Sequence, residues 1–152
     1  MVGDADPSHA GLTGLELFEA IRAGELPSSP WAQLADLHID ELAEGRAVLR
    51  ATPDERHLNY IGFVHGGWTT TLMDSALGAA AHTLMPPGER AVTVEIKVNI
   101  TRPVVPGTPI VVAAEVQHRG RRTVVADGKM HDDRGRLLAL ALATFAVVPA
   151  GG

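Results

Sequence analysis

The chain has 152 residues, 45% of them hydrophobic and 20% charged, with a formal net charge of −5. That length supports one domain around a single core, and the balance is that of a globular protein. No apolar run is long enough to span a bilayer. The absence of cysteine excludes disulfides, a thiolate nucleophile and thiolate metal sites, and fits the cytoplasm. The acidity argues against nucleic acid as a partner.

The charge is uneven. Residues 1–88 carry 12 acids and 4 bases, whereas residues 89–152 carry 6 acids and 9 bases. The basic half either holds a small phosphorylated ligand or is a set of solvated strand ends.

Residues 1–11 are small and polar, with acids and no basic n-region, so they read as a disordered N-terminus without a secretory signal. Residues 12–30 read as a helix and a connector. Leu15, Leu17, Phe18 and Ile21 follow helical spacing, Thr13 is placed to cap, Gly24 to stop, and Leu26-Pro27-Ser28-Ser29-Pro30 connects onward. Two strands follow around Glu44-Gly45, the first through Leu37, Ile39 and Glu41, the second from Arg46 to Arg50. Pro53 to Val64 is polar and turn-rich and reads as a loop. Gly66 to Leu84 is apolar on nearly every side and predicts a buried helix, stopped by Pro86-Pro87-Gly88.

In residues 91–101, Val92, Val94, Ile96, Val98 and Ile100 alternate strictly with Thr93, Glu95, Lys97, Asn99 and Thr101, the pattern of a strand with one apolar face. Further strands run from Ile110 to Gln117, from Thr123 to His131 and from Leu137 to Val148. Turns lie at Pro106-Gly107, Gly120 and Asp132-Asp133-Arg134-Gly135. Two strands, one apolar helix and four strands predict an α+β fold in which an antiparallel sheet curves around the helix.

Asp74 is the anomaly. It lies in the run Trp68-Thr69-Thr70-Thr71-Leu72-Met73-Asp74-Ser75-Ala76-Leu77-Gly78, where an ionised carboxylate is costly unless it is paired or has a task. Upstream, His65-Gly66-Gly67 leaves backbone N–H groups open at the helix start, where the helix dipole favours an oxyanion. A carboxylate two turns beyond an oxyanion donor suggests acyl-transfer chemistry. The helical neighbours of Asp74 are Thr70, Thr71, Gly78 and Ala81, a shallow strip that a substrate carbonyl can approach. The structural alternative for Asp74 is a carboxylate bonded to Thr70 or Thr71. Ser75 lacks a nucleophile-elbow pattern and reads as helix filler. His65 either holds the glycine turn or polarises a carbonyl, and Asn59 either orients a ligand or closes an Asx turn. Arg119, Arg121 and Arg122 flank a turn, where they either bind phosphates or guard a sheet edge, with Arg102 a weaker candidate. The seven histidines lack metal-binding spacing, so neither a metal nor another cofactor is expected.

The pattern Asn59-x-x-Gly62-x-x-His65-Gly66-Gly67 with Asp74 beyond it resembles the hotdog-fold acyl-CoA thioesterases, in particular the PaaI-like (phenylacetate-degradation) branch near the 4-hydroxybenzoyl-CoA thioesterases. The likeness continues through Thr93 to Asn99, Arg102 to Gly107, Gly120-Arg121-Arg122 and Asp132 to Gly135, and covers roughly residues 31–148, a whole domain. It implies a sheet wrapped around the central helix, homodimers or tetramers, an acyl-CoA substrate and two sites at a dimer interface. Asp74 of one subunit would face Asn59, His65 and Gly66 of the other, as general base or nucleophile. The Gly66 N–H would serve as oxyanion donor, and Thr93 would help place water. Gly67, Trp68, Thr70, Thr71 and Gly78 would line the substrate, and the arginines would take the phosphates of coenzyme A. The added N-terminal helix region departs from the family's pattern and is a candidate cap for the acyl pocket, and Tyr60, Phe63, Trp68 and Met73 are candidates to receive an aryl or medium-chain group. A hotdog hydratase and a non-catalytic acyl-CoA sensor are the competing functions. The spacing does not match the first, and the presence of Asp74 weighs against the second.

Overall fold

The computed structural model describes residues 11–150. The segment expected to be disordered lies outside them but for Gly11, and so does the C-terminal tail but for Pro149 and Ala150.

Helix α1, Gly14–Arg22, starts at Thr13, whose hydroxyl accepts the Glu16 N–H while the Glu16 carboxylate takes the Thr13 N–H. This reciprocal cap satisfies donors that the first helical turn cannot. The chain leaves the helix at Gly24, with φ of 77°. A five-residue helix, α2 (Pro30–Leu34), then appears where the sequence reads as the end of a connector. Its signal was Ser29 as cap with Pro30 at the first helical position, where the missing N–H costs nothing.

Strands β1 (His38–Ala43) and β2 (Arg46–Ala51) form the expected hairpin. The loop to the central helix contains one 3₁₀ turn, Glu55–His57. The central helix, α3, spans Gly66–His82 and ends two residues before the expected Leu84. Strands β3 (Glu89–Ile100), β4 (Ile110–Arg119), β5 (Thr123–Asp132) and β6 (Leu137–Pro149) complete a six-stranded antiparallel sheet of order β1-β2-β4-β5-β6-β3. Sequential hairpins account for β4 to β6. Strand β3, however, crosses to the far edge and pairs with β6 rather than with β4. This is the hotdog arrangement: α3 packs against β2 to β6, and α1 packs against β1 and α3.

The fit between helix and sheet rests on small residues. Ala76, Ala80 and Ala81 on α3 are fully buried, as are Ala126, Ala139 and Ala143 on the strands, while Leu72, Met73, Leu77, Met130 and Phe145 fill the remaining volume.

The strict alternation expected along residues 91–101 is broken. Thr93 pairs with Phe145 and Glu95 with Thr144, so Val94 is an extra residue in a β-bulge. Cross-strand partners share a face, and a one-residue slip exchanges faces. Before the bulge, Ala91 and Thr93 point inward with Val147 and Phe145. After it, Ile96 and Val98 do so with Ala143 and Ala141. Val92 and Val94, expected on the buried face, are exposed.

Candidate active site

The α3 helix is not uniform around its axis. Trp68, Leu72, Met73, Ala76, Leu77, Ala80 and Ala81 are buried, but Gly66, Thr70, Asp74, Gly78 and His82 are only partly so. These five recur every fourth residue, so they form one stripe of small and polar groups along the helix. Asp74 is therefore half-buried on an accessible stripe.

The bulge in β3 turns Thr93 toward that stripe. Its hydroxyl donates to Asp74 Oδ1 at 2.9 Å. This bond fixes the carboxylate from outside the helix. Among the described residues nothing donates to Oδ2. The structural alternative, a carboxylate satisfied by its own helix, does not occur: Thr70 and Thr71 donate instead to the Gly66 and Gly67 carbonyls, both at 2.9 Å. Ser75 likewise donates to the Thr71 carbonyl at 2.8 Å, which ties up its hydroxyl proton.

Asp74 and Thr93 open onto a cavity of about 700 Å³. Gly78, His82 and Phe145 line its floor. Phe18 and Ile21 of α1, Trp31 of α2 and Ile39 of β1 line the rest. The roof is tied down beside the end of α3: the Gly14 N–H donates to the Met85 carbonyl at 2.9 Å, and a Cβ at Gly14 would overlap the His82 carbonyl oxygen. Glycine is therefore required where α1 meets α3.

At the other end of the stripe, the helix cap leaves one donor spare. The His65 carbonyl accepts the Trp68 and Thr69 N–H groups at 3.0 and 3.3 Å, and His65 Nδ1 accepts the Gly67 N–H at 2.8 Å. A neutral His65 thus carries its proton on Nε2, and its ring holds the glycine turn. Among the described residues the Gly66 N–H has no acceptor. It is the orphan that a helix start normally leaves to a side chain, water or ligand. Gly66 borders a second, shallower cavity of about 310 Å³ with Asn59, Phe63 and Ile100. The Asn59 oxygen accepts the Ile61 and Phe63 N–H groups at 3.0 and 3.2 Å, so Asn59 closes an Asx turn and its NH₂ is the part left for a ligand.

Several candidates lie elsewhere than the sequence suggested. Trp68 is 6% exposed and lines neither cavity; it sits one helical turn before Leu72 on the core side, with its ring centroid 5.4 Å from that of His57. Met73 is fully buried in the core. Tyr60, Ile61 and Phe63 are exposed on the loop beside Gly66. Thr93 bonds the carboxylate directly. Arg119 donates to the Gly120 carbonyl and lies 3.4 Å from Glu89, while Arg102 donates to the Leu137 carbonyl. Arg121 and Arg122 are exposed in the β4–β5 turn, and their side chains have no partner among the described residues. Ala146 faces both Thr123 and Val92, so this turn lies two strand spacings, about 10 Å, from the stretch of β3 that carries Thr93. Sequence reading missed His82. Its signal was the stripe itself: His82 is eight residues beyond Asp74, and Gly78 lies halfway.

Within one chain the acid and the orphan donor cannot serve the same carbonyl. Gly66 and Asp74 are eight residues apart, about 12 Å along the helix axis, whereas both must lie about 3 Å from the reacting group.

The family model described as "Thioesterase superfamily" matches residues 61–139, just over half the chain. ComA2 of Bacillus subtilis (strain 168) is 32% identical over 113 residues, which is 74% of this chain and 89% of that protein. The PaaI protein of E. coli, from the phenylacetic acid degradation operon, is 23% identical and superposes with a TM-score of 0.80 over 91% of this chain and 98% of its own, a likeness of fold. A thioesterase protein of Streptococcus pneumoniae TIGR4, solved with coenzyme A, is 27% identical, with a TM-score of 0.70 over 76% of this chain and 91% of its own.

Proposed function

This chain belongs to the thioesterase superfamily, and from that premise we propose that it hydrolyses an acyl-CoA to the free acid and coenzyme A at a site shared by two copies of the chain. The observation that carries the reading is the separation on α3. The Asp74 carboxylate, held by Thr93 on one oxygen, faces a roofed cavity, while the one spare N–H of the helix start is at Gly66 beside a different cavity. Each is half of an acyl-transfer site. A second copy supplying Gly66 and Asn59 to the first copy's Asp74 completes it.

Two further features support that pairing. Strand β3 bonds β6 on one side, and among the described residues its other edge is unpaired, a position from which a sheet readily extends. Tyr60, Ile61 and Phe63 are exposed beside Gly66, and such apolar groups are commonly buried by a partner. Tetramers would follow if two such dimers associate.

In this scheme Asp74 is the general base or the nucleophile. As base, it takes a proton from water as the water oxygen attacks the thioester carbonyl carbon. Negative charge then gathers on the carbonyl oxygen, where the Gly66 N–H and the positive end of the α3 dipole stabilise it. Collapse of the intermediate breaks the C–S bond, and the coenzyme A thiolate leaves. As nucleophile, Asp74 attacks the thioester carbonyl carbon, the C–S bond breaks and the coenzyme A thiolate leaves, and water hydrolyses the resulting acyl anhydride to the free acid and the Asp74 carboxylate. The acyl group occupies the cavity under α1 and α2. Arg121 and Arg122 meet the nucleotide phosphates. No cofactor takes part.

Subunit complementation tests the shared site. Asp74→Asn removes the acid. Gly66→Pro removes the donor, and His65, with φ −62° and ψ 134°, already has the backbone that a following proline requires. Each variant alone should retain no more than about one per cent of the activity toward acyl-CoA. Co-expressed, they should regain roughly a quarter of wild-type activity, because half the dimers are mixed and each mixed dimer carries one intact site of two. No regain in a verified mixed dimer would place both groups in one chain's site and overturn the reading.

A further inference from the structure

Strand β3 touches both halves of the divided site. Thr93 bonds Asp74, and a Cβ on Gly66 would lie 3.3 Å from Ile100 Cδ1. A second copy therefore brings Gly66 to the first copy's Asp74 when the partner's Ile100 comes close to Thr93. In an antiparallel pair of β3 strands related by a two-fold axis, the residue on the axis decides whether it does.

The faces of the strand leave few choices, because cross-strand partners share a face. After the bulge, Ile96 and Val98 point inward, while Glu95, Lys97 and Asn99 point outward. The bulge makes Thr93, not Val94, the inward position before Ile96. An axis through Lys97 sets Thr93 opposite the partner's Ile100. Axes through Ile96 or Val98 leave the two one pair apart. An axis through Glu95 or earlier moves them about 13 Å or more along the strand.

Charge separates the three close registers. Glu95 and Lys97 are exposed, and their side chains have no ionic partner among the described residues. Their neighbours on β6, Thr144 and Leu142, are uncharged. With the axis through Val98, both meet uncharged residues. With the axis through Lys97, that lysine meets the partner's Lys97, a like-charge contact that destabilises a strand pair. With the axis through Ile96, each Glu95 meets the partner's Lys97, two attractive contacts in place of a repulsive one.

We propose that Glu95 and Lys97 set the register in which two copies of this chain pair, with the two-fold axis through Ile96 and each Glu95 against the partner's Lys97. They are positioning residues: their pairing holds Asp74 near the partner's Gly66. The inference rests on the shared-site reading and adds the alignment that builds the site.

The chain has no cysteine, so engineered ones report the register directly. Opposed residues lie about 4.5–5.5 Å apart at Cα, within reach of a disulfide. Residues one pair off lie about 8 Å apart, beyond it. Co-expressed Glu95→Cys and Lys97→Cys chains should give a bridged dimer on a non-reducing gel, and neither should bridge alone. In a second arm, Glu95→Lys and Lys97→Glu each set like charges in opposition and should raise the dimer Kd about ten- to a hundredfold at low salt. Co-expressed, these two chains complement each other at both contacts. Native mass spectrometry should then find about nine-tenths of the dimers mixed, against roughly one half for random pairing. A chain with both exchanges should pair with itself as the wild type does, and this recovery shows that the exchanged chains fold. Bridging by Lys97→Cys alone, no bridge in the mixed pair, or mixed dimers at the random share overturns the inference. If light scattering still finds a dimer in that case, the shared-site reading stands. A monomeric wild-type chain overturns both. The expected bridging without turnover of any acyl-CoA overturns the hydrolysis reading and leaves the register standing.

Discussion

The two cavities on α3 differ in what they lack. The one at Asp74 is deep, roofed by α1 and α2, and holds a carboxylate with one oxygen fixed and the other free, but among the described residues no open helix-start N–H. The one at Gly66 is shallow and bordered by an exposed apolar loop. It holds a spare backbone donor and a spare amide NH₂ but, among the described residues, no acid. A rigid helix separates them. The difference is one of position: the acid and the spare donor face separate cavities, side-chain movement within one copy cannot bring them together, and the shared site proposed above is what would join them.

The largest effect should come from the acid half. Asp74→Asn keeps the shape and still accepts the Thr93 hydroxyl, but loses the charge that attacks or takes a proton. Loss of a general base lowers kcat by about 10²–10⁴, with substrate affinity retained. Steady-state assays on a variant shown by light scattering to keep its assembly check this. Retention of most of the wild-type kcat would return Asp74 to a structural role.

The donor half should be next. Gly66→Pro deletes one N–H and should cost about 10²–10³ in kcat. Gly66→Ala is its control, since it keeps the N–H and adds a Cβ 3.3 Å from Ile100 Cδ1, a contact that one flexible methyl can relieve. Similar losses in both variants would mean that space at Gly66, not its donor, is what matters, and the contrast between the cavities would weaken.

The smallest effect should sharpen where the rest of the substrate runs. Arg121→Ala with Arg122→Ala should raise KM for acyl-CoA several-fold and spare kcat, because a remote phosphate contact serves ground and transition states alike. The effect should shrink with salt, since exposed charges are screened over about 10 Å at 0.1 M. It should vanish for a truncated thioester without the nucleotide. Equal losses on both substrates would make the turn a support for the fold.

Much of this architecture was legible in the chain itself. Hydrophobic periodicity, the Thr13 cap and the glycine turns depend on neighbours within a few residues, and they placed the three longest kinds of element: α1, the central helix and all six strands. The misplaced strand face shows the limit. Residues 91–101 alternate without fault as a sequence, yet the β-bulge at Val94, set by pairing with β6, turns Thr93 toward Asp74 and exposes Val92 and Val94. Register belongs to two strands at once, and no single strand encodes it.

The same division holds at the site. Asp74 and Gly66 stand out in the sequence because a lone acid in an apolar run and a glycine pair at a helix start are local anomalies. Trp68 was expected at the pocket and His82 was not singled out, because helical position alone leaves open which side of α3 meets the sheet. Only packing against β2 to β6 put Trp68 in the core and left Gly66, Thr70, Asp74, Gly78 and His82 on one accessible stripe. The sequence by itself therefore determined the elements and the chemically unusual residues, because both arise from short-range spacing and composition. The tertiary structure decided which of those residues share a cavity, because that depends on strand register and helix rotation, which are settled only when distant segments pack together.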